Sequence, residues 1–238
     1  MQIDEEKCTG CFECVAYCPV FAIKEDRQNG RAFVVQDECV ECSVCLRSAG
    51  CPSGALFQPE LSYPRLLRAE FSDPAILKAG VTGRGTEETK TNDVTGRYPS
   101  GFIGIAAELG RPGIGTTLAD LEKIAQAILP LGVEFERENP TYNLFSDINT
   151  GKLKPGIAQE RVLSAILEFK VPVEKASQVL FSLQEVSKKV DTIISVDIAS
   201  RFDADGGLPA DIISRKIGLR IRPNGKTNLG LGRPFVES

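Results

Sequence analysis

The chain has 238 residues, a formal net charge of −4, eight Cys, one Met, no His and no Trp. Without His it can form no Ser-His-Asp triad, no imidazole general base, no His-ligated zinc site and no haem site with a proximal His. The composition, 42% hydrophobic and 25% charged, is that of an ordinary globular protein. Metal chemistry in this chain is therefore limited to thiolates and carboxylates.

The sequence contains no segment that could cross a membrane. No stretch approaches the roughly 20 consecutive apolar residues needed for a bilayer span. The first ten residues, MQIDEEKCTG, are acidic and lack the basic and apolar regions of a signal peptide. We therefore expect a cytoplasmic protein, in which eight Cys favour metal binding over disulfides.

The distribution of Cys and charge predicts a domain boundary near residue 60. All eight Cys lie in the first 51 residues. Residues 1–60 carry five basic and ten acidic residues, whereas the rest of the chain carries 23 basic and 22 acidic residues. The Cys-rich part is therefore also the acidic part.

The Cys residues form two runs of similar spacing, C-x2-C-x2-C-x3-C-P and C-x2-C-x2-C-x5-C-P. Three thiolates at this spacing on a turning backbone can each hold one iron of a cubane cluster, but the same short loop cannot supply the fourth ligand. In the two-cluster arrangement, the fourth Cys of each run ligates the other cluster. The predicted ligand sets for two 4Fe–4S clusters are Cys8, Cys11, Cys14 and Cys51 for the first, and Cys39, Cys42, Cys45 and Cys18 for the second.

Residues 1–60 resemble the bacterial-type two-cluster 4Fe–4S ferredoxins. The resemblance implies the two-cluster ferredoxin fold, low-potential one-electron transfer and a place in anaerobic metabolism. The x5 spacing before Cys51 departs from the family pattern and predicts a different loop shape there. The alternative is structural zinc, although zinc sites usually take paired Cys from separated segments rather than three Cys within seven residues.

Residues 61–101 are predicted to be a helical connector followed by a polar loop. Ser72 or Asp73 could cap a helix, and Pro74 suits a first helical turn. Residues 80–101 are polar, rich in Gly and Thr and without apolar periodicity. Such a segment is typical of a linker or of a loop that wraps a partner.

Residues 102–204 show strand and helix patterns in the order βαββαβ. This order predicts an open α/β sandwich with two helices on one face of a sheet, and an α+β chain overall. The strand patterns cover 102–109, 133–136, 163–171 and 192–202, and the helical patterns cover 117–130 and 172–190.

This domain is similar to the ACT domain and its relatives, through Arg111-Pro112-Gly113 before the first helix and Leu131-Gly132-Val133 after it. The resemblance implies small-molecule binding near the loop, or a homodimer with the sheets side by side. A helix N-terminus favours anions, but the loop lacks a phosphate-binding fingerprint, so an ordinary tight turn is the alternative. The candidate ligand residues are Gly113, Gly115, Thr116 and Thr117.

Residues 205–238 are predicted to be a basic tail containing Gly and Pro. Residues 215–238 hold six basic residues and one acidic residue. The motif K-T-N occurs at 90–92 and again at 226–228, either by coincidence or as two basic loops that meet at a partner or an anion. Nucleic-acid binding is not expected, because the net charge is negative and the tail lacks interleaved aromatic residues.

The leading hypothesis is an electron-transfer subunit whose C-terminal part docks on the catalytic subunit of a larger oxidoreductase. A redox-linked small-molecule sensor that uses the ACT-like domain is the alternative. An autonomous enzyme is disfavoured, because ligation of all eight Cys leaves no thiol nucleophile. The sequence also shows no flavin or nicotinamide fingerprint.

Overall fold

The structure is a computed structural model that describes residues 1–76, 89, 96–110 and 113–220. Most of the predicted polar loop, Arg111 and Pro112 of the ACT-like motif and the tail from residue 221 onward lie outside the described residues. Both K-T-N stretches lie outside them as well. None of the described helices is long and apolar enough to cross a membrane.

The N-terminal part contains two short helices at equivalent places in the two Cys runs. They are α1 (Glu13–Ala16) and α2 (Val44–Ser48). Two antiparallel pairs of strands accompany them: β1 (Gln2–Ile3) with β4 (Leu56–Phe57), and β2 (Ile23–Asp26) with β3 (Arg31–Val34). Few large apolar side chains are buried here, and four of the buried residues are Cys. The core of this part is therefore small.

Helix α3 (Arg65–Ser72) connects the two parts of the chain. Its apolar side chains Leu67 and Phe71 are buried in the C-terminal core. This helix ends at Ser72. Asp73 Oδ1 accepts a 2.9 Å hydrogen bond from the Ala75 N–H, and residues 77–88 lie outside the described residues, so a second helix after 72–74 stays a prediction. Asp73 is extended, with φ −96° and ψ 113°, because the residue before a proline is disfavoured in the helical region.

The C-terminal part is built on a four-stranded antiparallel sheet. Its strands are β5 (Phe102–Leu109), β7 (Glu134–Phe135), β11 (Ala165–Pro172) and β12 (Ile194–Ser200), in the order β12-β5-β11-β7. β5 pairs along its length with β11 on one side and with β12 on the other. All four strands lie within two residues of their predicted positions.

Two helices pack on this sheet, α4 (Leu118–Ile128) and α5 (Val173–Ser187). Alternate residues of β5 are fully buried against them, as the period of two along a strand requires. Thr117 caps α4, because its Oγ1 accepts a 3.3 Å hydrogen bond from the Asp120 N–H. The mixture of helix and strand makes the chain α+β.

The rest of the C-terminal part surrounds this sheet. A 3-10 helix (Pro140–Leu144) precedes the hairpin of β8 (Phe145–Asp147) and β9 (Lys152–Leu153). Strand β6 (Thr116–Thr117) pairs with β10 (Arg161–Val162). Within the predicted tail, helix α6 (Pro209–Lys216) packs on α5 and β12 and buries Ile213.

Candidate iron–sulfur sites

Two cavities lie in the N-terminal part, and four Cys line each of them. We call them site one, lined by Cys8, Cys11, Cys14 and Cys51, and site two, lined by Cys18, Cys39, Cys42 and Cys45. All eight are free thiols. The structure thus brings the thiols together in the two groups that the spacing predicts.

The four thiols of each site line the wall of a cavity and do not converge on a single metal position. Among the described residues, no three His, Cys, Asp or Glu side chains converge closely enough to hold one metal ion. A cubane needs a different arrangement, in which each of four thiolates reaches a different iron across a shared cavity. The donor type and the cavity of both sites suit a 4Fe–4S cluster.

The backbone turns left-handed at equivalent positions of the two Cys runs. The φ angles are 69° at Gly10 and 56° at Glu41, then 60° at Phe12 and 54° at Ser43. Such angles cost a non-glycine residue about 1–3 kcal/mol and persist only where the surroundings enforce them. Alternating right- and left-handed residues turn successive N–H groups towards a common concavity that attracts anions. Both loops therefore have a backbone suited to holding a negatively charged cluster.

The fourth Cys of each run accepts a backbone hydrogen bond. The Ala22 N–H donates to Cys18 Sγ at 3.1 Å, and the Ala55 N–H donates to Cys51 Sγ at 3.3 Å. Burial alone raises the pKa of Cys51, but hydrogen bonds from the Ser53 side chain and nearby N–H groups bring that pKa below its ordinary value. These hydrogen bonds therefore stabilise the thiolate form of Cys51 relative to that of an ordinary thiol.

The buried Cys have raised pKa values, in contrast to Cys51. Burial, followed by the proximity of other Cys of the same site, raises the pKa of Cys14 to about 11 and the pKa of Cys45 to about 12. Burial also raises the pKa values of Cys39 and Cys42. These thiols stay protonated at neutral pH unless a bound metal removes the proton.

Equivalent residues of the two sites differ in exposure. Cys11 is exposed and Cys8 is half-buried, whereas their counterparts Cys42 and Cys39 are 7% and 8% exposed. Site one is therefore open to solvent along its binding loop, and site two is covered.

Three arginines cover the loop of site two from outside. Arg68 donates to the carbonyl oxygens of residues 36, 37 and 39 at 2.9–3.2 Å. Arg65 donates to the Gln36 carbonyl at 2.9 Å, and Arg47 donates to the Cys42 carbonyl at 2.8 Å. The sequence carries no signal for these residues, because nothing in the spacing of Arg indicates which carbonyls the side chains reach.

Glu41, between two Cys of site two, is a buried carboxylate. It accepts hydrogen bonds from the Met1 ammonium, from Arg65 and, at 3.0 Å, from Gln58 Nε2. Burial opposes its ionisation, but these hydrogen bonds outweigh burial and hold the pKa of Glu41 below its ordinary value. The available sequence signal was a Glu where the first run has Gly10.

Charged side chains surround the open loop of site one. Ion pairs join Lys7 to Asp4, Arg31 to Glu5 and Arg27 to Glu25, and Arg27 also lies over the Phe12 ring, which lines the site. We call the charged residues of the segment 4–13 and of the hairpin residues 25–31 the rim of site one. They are six acidic residues, Asp4, Glu5, Glu6, Glu13, Glu25 and Asp26, and three basic residues, Lys7, Arg27 and Arg31. The rim is therefore acidic overall.

The predicted ligand loop precedes α4. The first two backbone N–H groups of α4 donate to carbonyl oxygens of the chain itself. The Leu118 N–H donates to the Glu160 carbonyl at 3.0 Å, and the Ala119 N–H donates to the Ala158 carbonyl at 2.7 Å. Of the four candidate residues, two form strand β6, which pairs with β10. These contacts lend no support to ligand binding by Gly113, Gly115, Thr116 and Thr117, which stays a prediction.

Comparison with known proteins matches residues 1–52 to the 4Fe-4S dicluster domain family. The pyruvate synthase subunit PorD of Methanocaldococcus jannaschii is 39% identical over 54 residues, which are 23% of this chain and 59% of that protein. An uncharacterised protein of the same organism is 46% identical over 46 residues, 18% of this chain and 11% of that protein. The chain thus spans less than two thirds of either relative. No solved structure matches it.

Proposed function

We propose that this chain is an electron-transfer subunit of a larger oxidoreductase and that each site holds one 4Fe–4S cluster. The observation that carries the proposal is the sorting of eight thiols into two cavities, each lined by four Cys. The four Cys of each site ligate its cluster, so the two Cys runs exchange their fourth ligands. A bound cluster supplies one-electron redox chemistry.

The remaining features of the sites support the same proposal. N–H donors reach the sulfurs of Cys18 and Cys51, and such hydrogen bonds are one way in which a protein sets a cluster potential. With all eight Cys used as ligands, no thiol is left for nucleophilic catalysis. Relay of electrons is therefore the chemistry that these residues support.

We also propose the finer fold and domain assignments. The match to a dicluster domain and the equivalent helices α1 and α2 support a two-cluster ferredoxin fold for residues 1–60. The strand order β12-β5-β11-β7 with α4 and α5 supports an ACT-like sandwich for 102–204. Residues 61–101 join the two domains, and residues 205–238 follow them.

A catalytic partner subunit belongs to this proposal. Similarity to a pyruvate synthase subunit supports such a complex, and a cytoplasmic location and anaerobic metabolism are proposed with it. The acidic rim of site one, made more negative by a bound cluster, favours a partner with a basic surface. Homodimerisation through the sheet stays a prediction, with β12 as the edge strand available for it. No contact of the described residues favours the sensor hypothesis.

The electron-transfer function is tested by anaerobic reductive titration of the reconstituted full-length chain. We expect uptake of about two electrons per chain, one for each cluster, with electron paramagnetic resonance signals of reduced 4Fe–4S clusters. A chain that binds iron but takes up no electrons would contradict the proposal.

The partner surface is tested with cytochrome c as a basic protein probe. The double variant Glu6→Lys/Glu13→Lys is expected to weaken binding by about tenfold at low ionic strength, because opposed charges no longer attract. The control Glu60→Lys/Asp205→Lys makes the same change in net charge at exposed positions outside the rim. Equal binding losses in both variants, measured by calorimetry, would show that net charge acts rather than the rim.

A further inference from the structure

Helix α3 lies outside the matched dicluster region, yet its arginines hold the loop of site two. Arg68 is 6% exposed, and one of its nitrogens, Nη1, donates to three carbonyl oxygens of the segment 36–39. The third of these belongs to Cys39, a Cys of site two. Its neighbour Arg65 binds the same segment through the Gln36 carbonyl at 2.9 Å.

The arginines act on peptide groups that border the cavity. In a trans peptide the C=O and the N–H of the next residue point in opposite directions. Arg68 holds the Cys39 carbonyl, and Arg47 holds the Cys42 carbonyl. The N–H groups of Val40 and Ser43 therefore point away from the arginines, and both of these residues line site two.

Arg68 also binds the C-terminal part of the chain. Its Nε donates to Glu160 Oε2, and the two side chains are 8% and 11% exposed. Nearby, the Leu163 N–H donates to Ser72 Oγ of α3 at 2.8 Å. One buried guanidinium thus joins the loop of site two to the C-terminal domain.

Within the part of the chain that the structure describes, site one shows no equivalent of this arrangement. None of the hydrogen bonds seen among the described residues joins an arginine to a carbonyl of the segment 8–14. Arg31 is near site one, but it pairs with the exposed side chain of Glu5 at 3.3 Å. The arginine contacts therefore distinguish two sites whose first three Cys have the same spacing.

We propose that Arg68 is a positioning residue of site two. Together with Arg65 of α3, and with Arg47 of α2, which pairs with Asp73 at the end of α3 at 2.8 Å, it makes the retention and the potential of that cluster depend on α3. The proposal rests on the proposed function, because it requires clusters in both sites. Nearby positive charge and N–H groups directed at the sulfurs favour the more negative, reduced state. Loss of Arg68 therefore lowers the potential at site two and loosens its loop.

The test compares Arg68→Gln and Arg47→Gln with the control Arg31→Gln in the full-length, anaerobically reconstituted chain. The control removes the same charge beside site one. Two quantities are measured: the rate of iron release to a chelator, and the two cluster potentials in a redox titration followed by electron paramagnetic resonance. The signals of site two are identified as those missing in Cys45→Ala.

In Arg68→Gln we expect about half of the iron to leave some tenfold faster, since loss of a group that supports metal ligands typically costs 10–100-fold in metal affinity. The potential of site two falls, and that of site one is unchanged. Arg47→Gln gives smaller changes in the same directions, and Arg31→Gln leaves site two unchanged. Compared with Arg68→Gln, the variant Arg68→Lys is expected to restore the potential of site two more fully than the rate of iron release. Lys keeps the positive charge but lacks the planar guanidinium that holds the loop carbonyls.

Unchanged release rates and potentials at site two in Arg68→Gln and Arg47→Gln would overturn the proposal. If Arg68→Gln does not fold, the result for Arg47→Gln is used instead. The Arg47 side chain is 39% exposed, so we expect this variant to fold. A wild-type chain without iron–sulfur clusters would instead overturn the proposed function. If the wild-type chain holds both clusters but the arginine variants leave the release rate and the potential of site two unchanged, only the role of the arginines would be overturned.

Discussion

The two Cys runs share the spacing of their first three Cys and the left-handed turns around them, but the structure places them in different surroundings. At site one Cys11 is exposed and the rim is acidic. At site two the equivalent Cys42 is buried, and three arginines hold the loop. The motif determines the shape of a binding loop, whereas the elements that pack on the loop determine its exposure and local charge.

This difference places the two proposed clusters in different positions relative to solvent and to the C-terminal domain. Site one offers an open, negatively charged surface to another protein. Site two lies beneath α3, next to the C-terminal domain. Four predictions test whether the sites differ in this way.

Removal of the clusters has the largest expected effect. We expect residues 1–60 to unfold and the C-terminal domain to stay folded, because the N-terminal core is small and includes the Cys themselves. Hydrogen exchange of the full-length chain, before and after oxidative chelation of iron, measures both domains at once. Protection of residues 1–60 that survives iron removal would contradict this prediction.

Loss of a single fourth ligand tests the exchange of ligands between runs. Cys18→Ala and Cys51→Ala should each lose about half of the iron, four atoms of about eight. Cys18→Ala keeps the cluster of open site one, which we expect to release iron quickly to a chelator. Cys51→Ala keeps the cluster of covered site two and should release iron slowly. The reverse order of rates would show that each run supplies all four of its own ligands.

Truncation of a core residue in α3 should disturb site two through the helix. Leu67 is 7% exposed, so Leu67→Ala is expected to cost about 2–5 kcal/mol of unfolding free energy. It should also speed iron release from site two, because α3 carries Arg65 and Arg68. The adjacent control Leu66→Ala, at a side chain 36% exposed, should cost less than about 1 kcal/mol. Denaturant unfolding measures both, and equal costs would contradict the packing of α3.

The most local effect concerns a glycine of the site one loop. A Cβ at Gly10 would lie 2.2 Å from the Gly30 carbonyl oxygen, in a backbone with φ 69°. Gly50 is the matched control, since it has φ 58° and open space around a Cβ. We expect Gly50→Ala to cost about 1–2 kcal/mol and Gly10→Ala to cost about 3 kcal/mol or more. Similar thermal unfolding of the two variants would be evidence against this close contact.

The features that the sequence predicted are those set by local pattern. Alternation of apolar residues located β5, and a helical apolar face located α4. The grouping of Cys into two sets followed from spacing, because loop geometry limits which irons one run can reach.

The features that the sequence did not predict depend on contacts between distant residues. Arg68 and Glu160 are 92 positions apart and form a buried pair, for which a single sequence carries no periodic signal. The end of α3 at Ser72 was not predicted either, although the preference of the residue before proline for an extended backbone accounts for it. Helix α6 lies in a segment whose composition indicated only a basic tail.

The most direct test of the central claim is a determination of iron and acid-labile sulfide in the anaerobically reconstituted, full-length chain. Two 4Fe–4S clusters require about eight iron and about eight sulfide per chain. Four or fewer of either after careful reconstitution, or zinc bound in stoichiometric amount, would contradict the assignment of one cluster to each site.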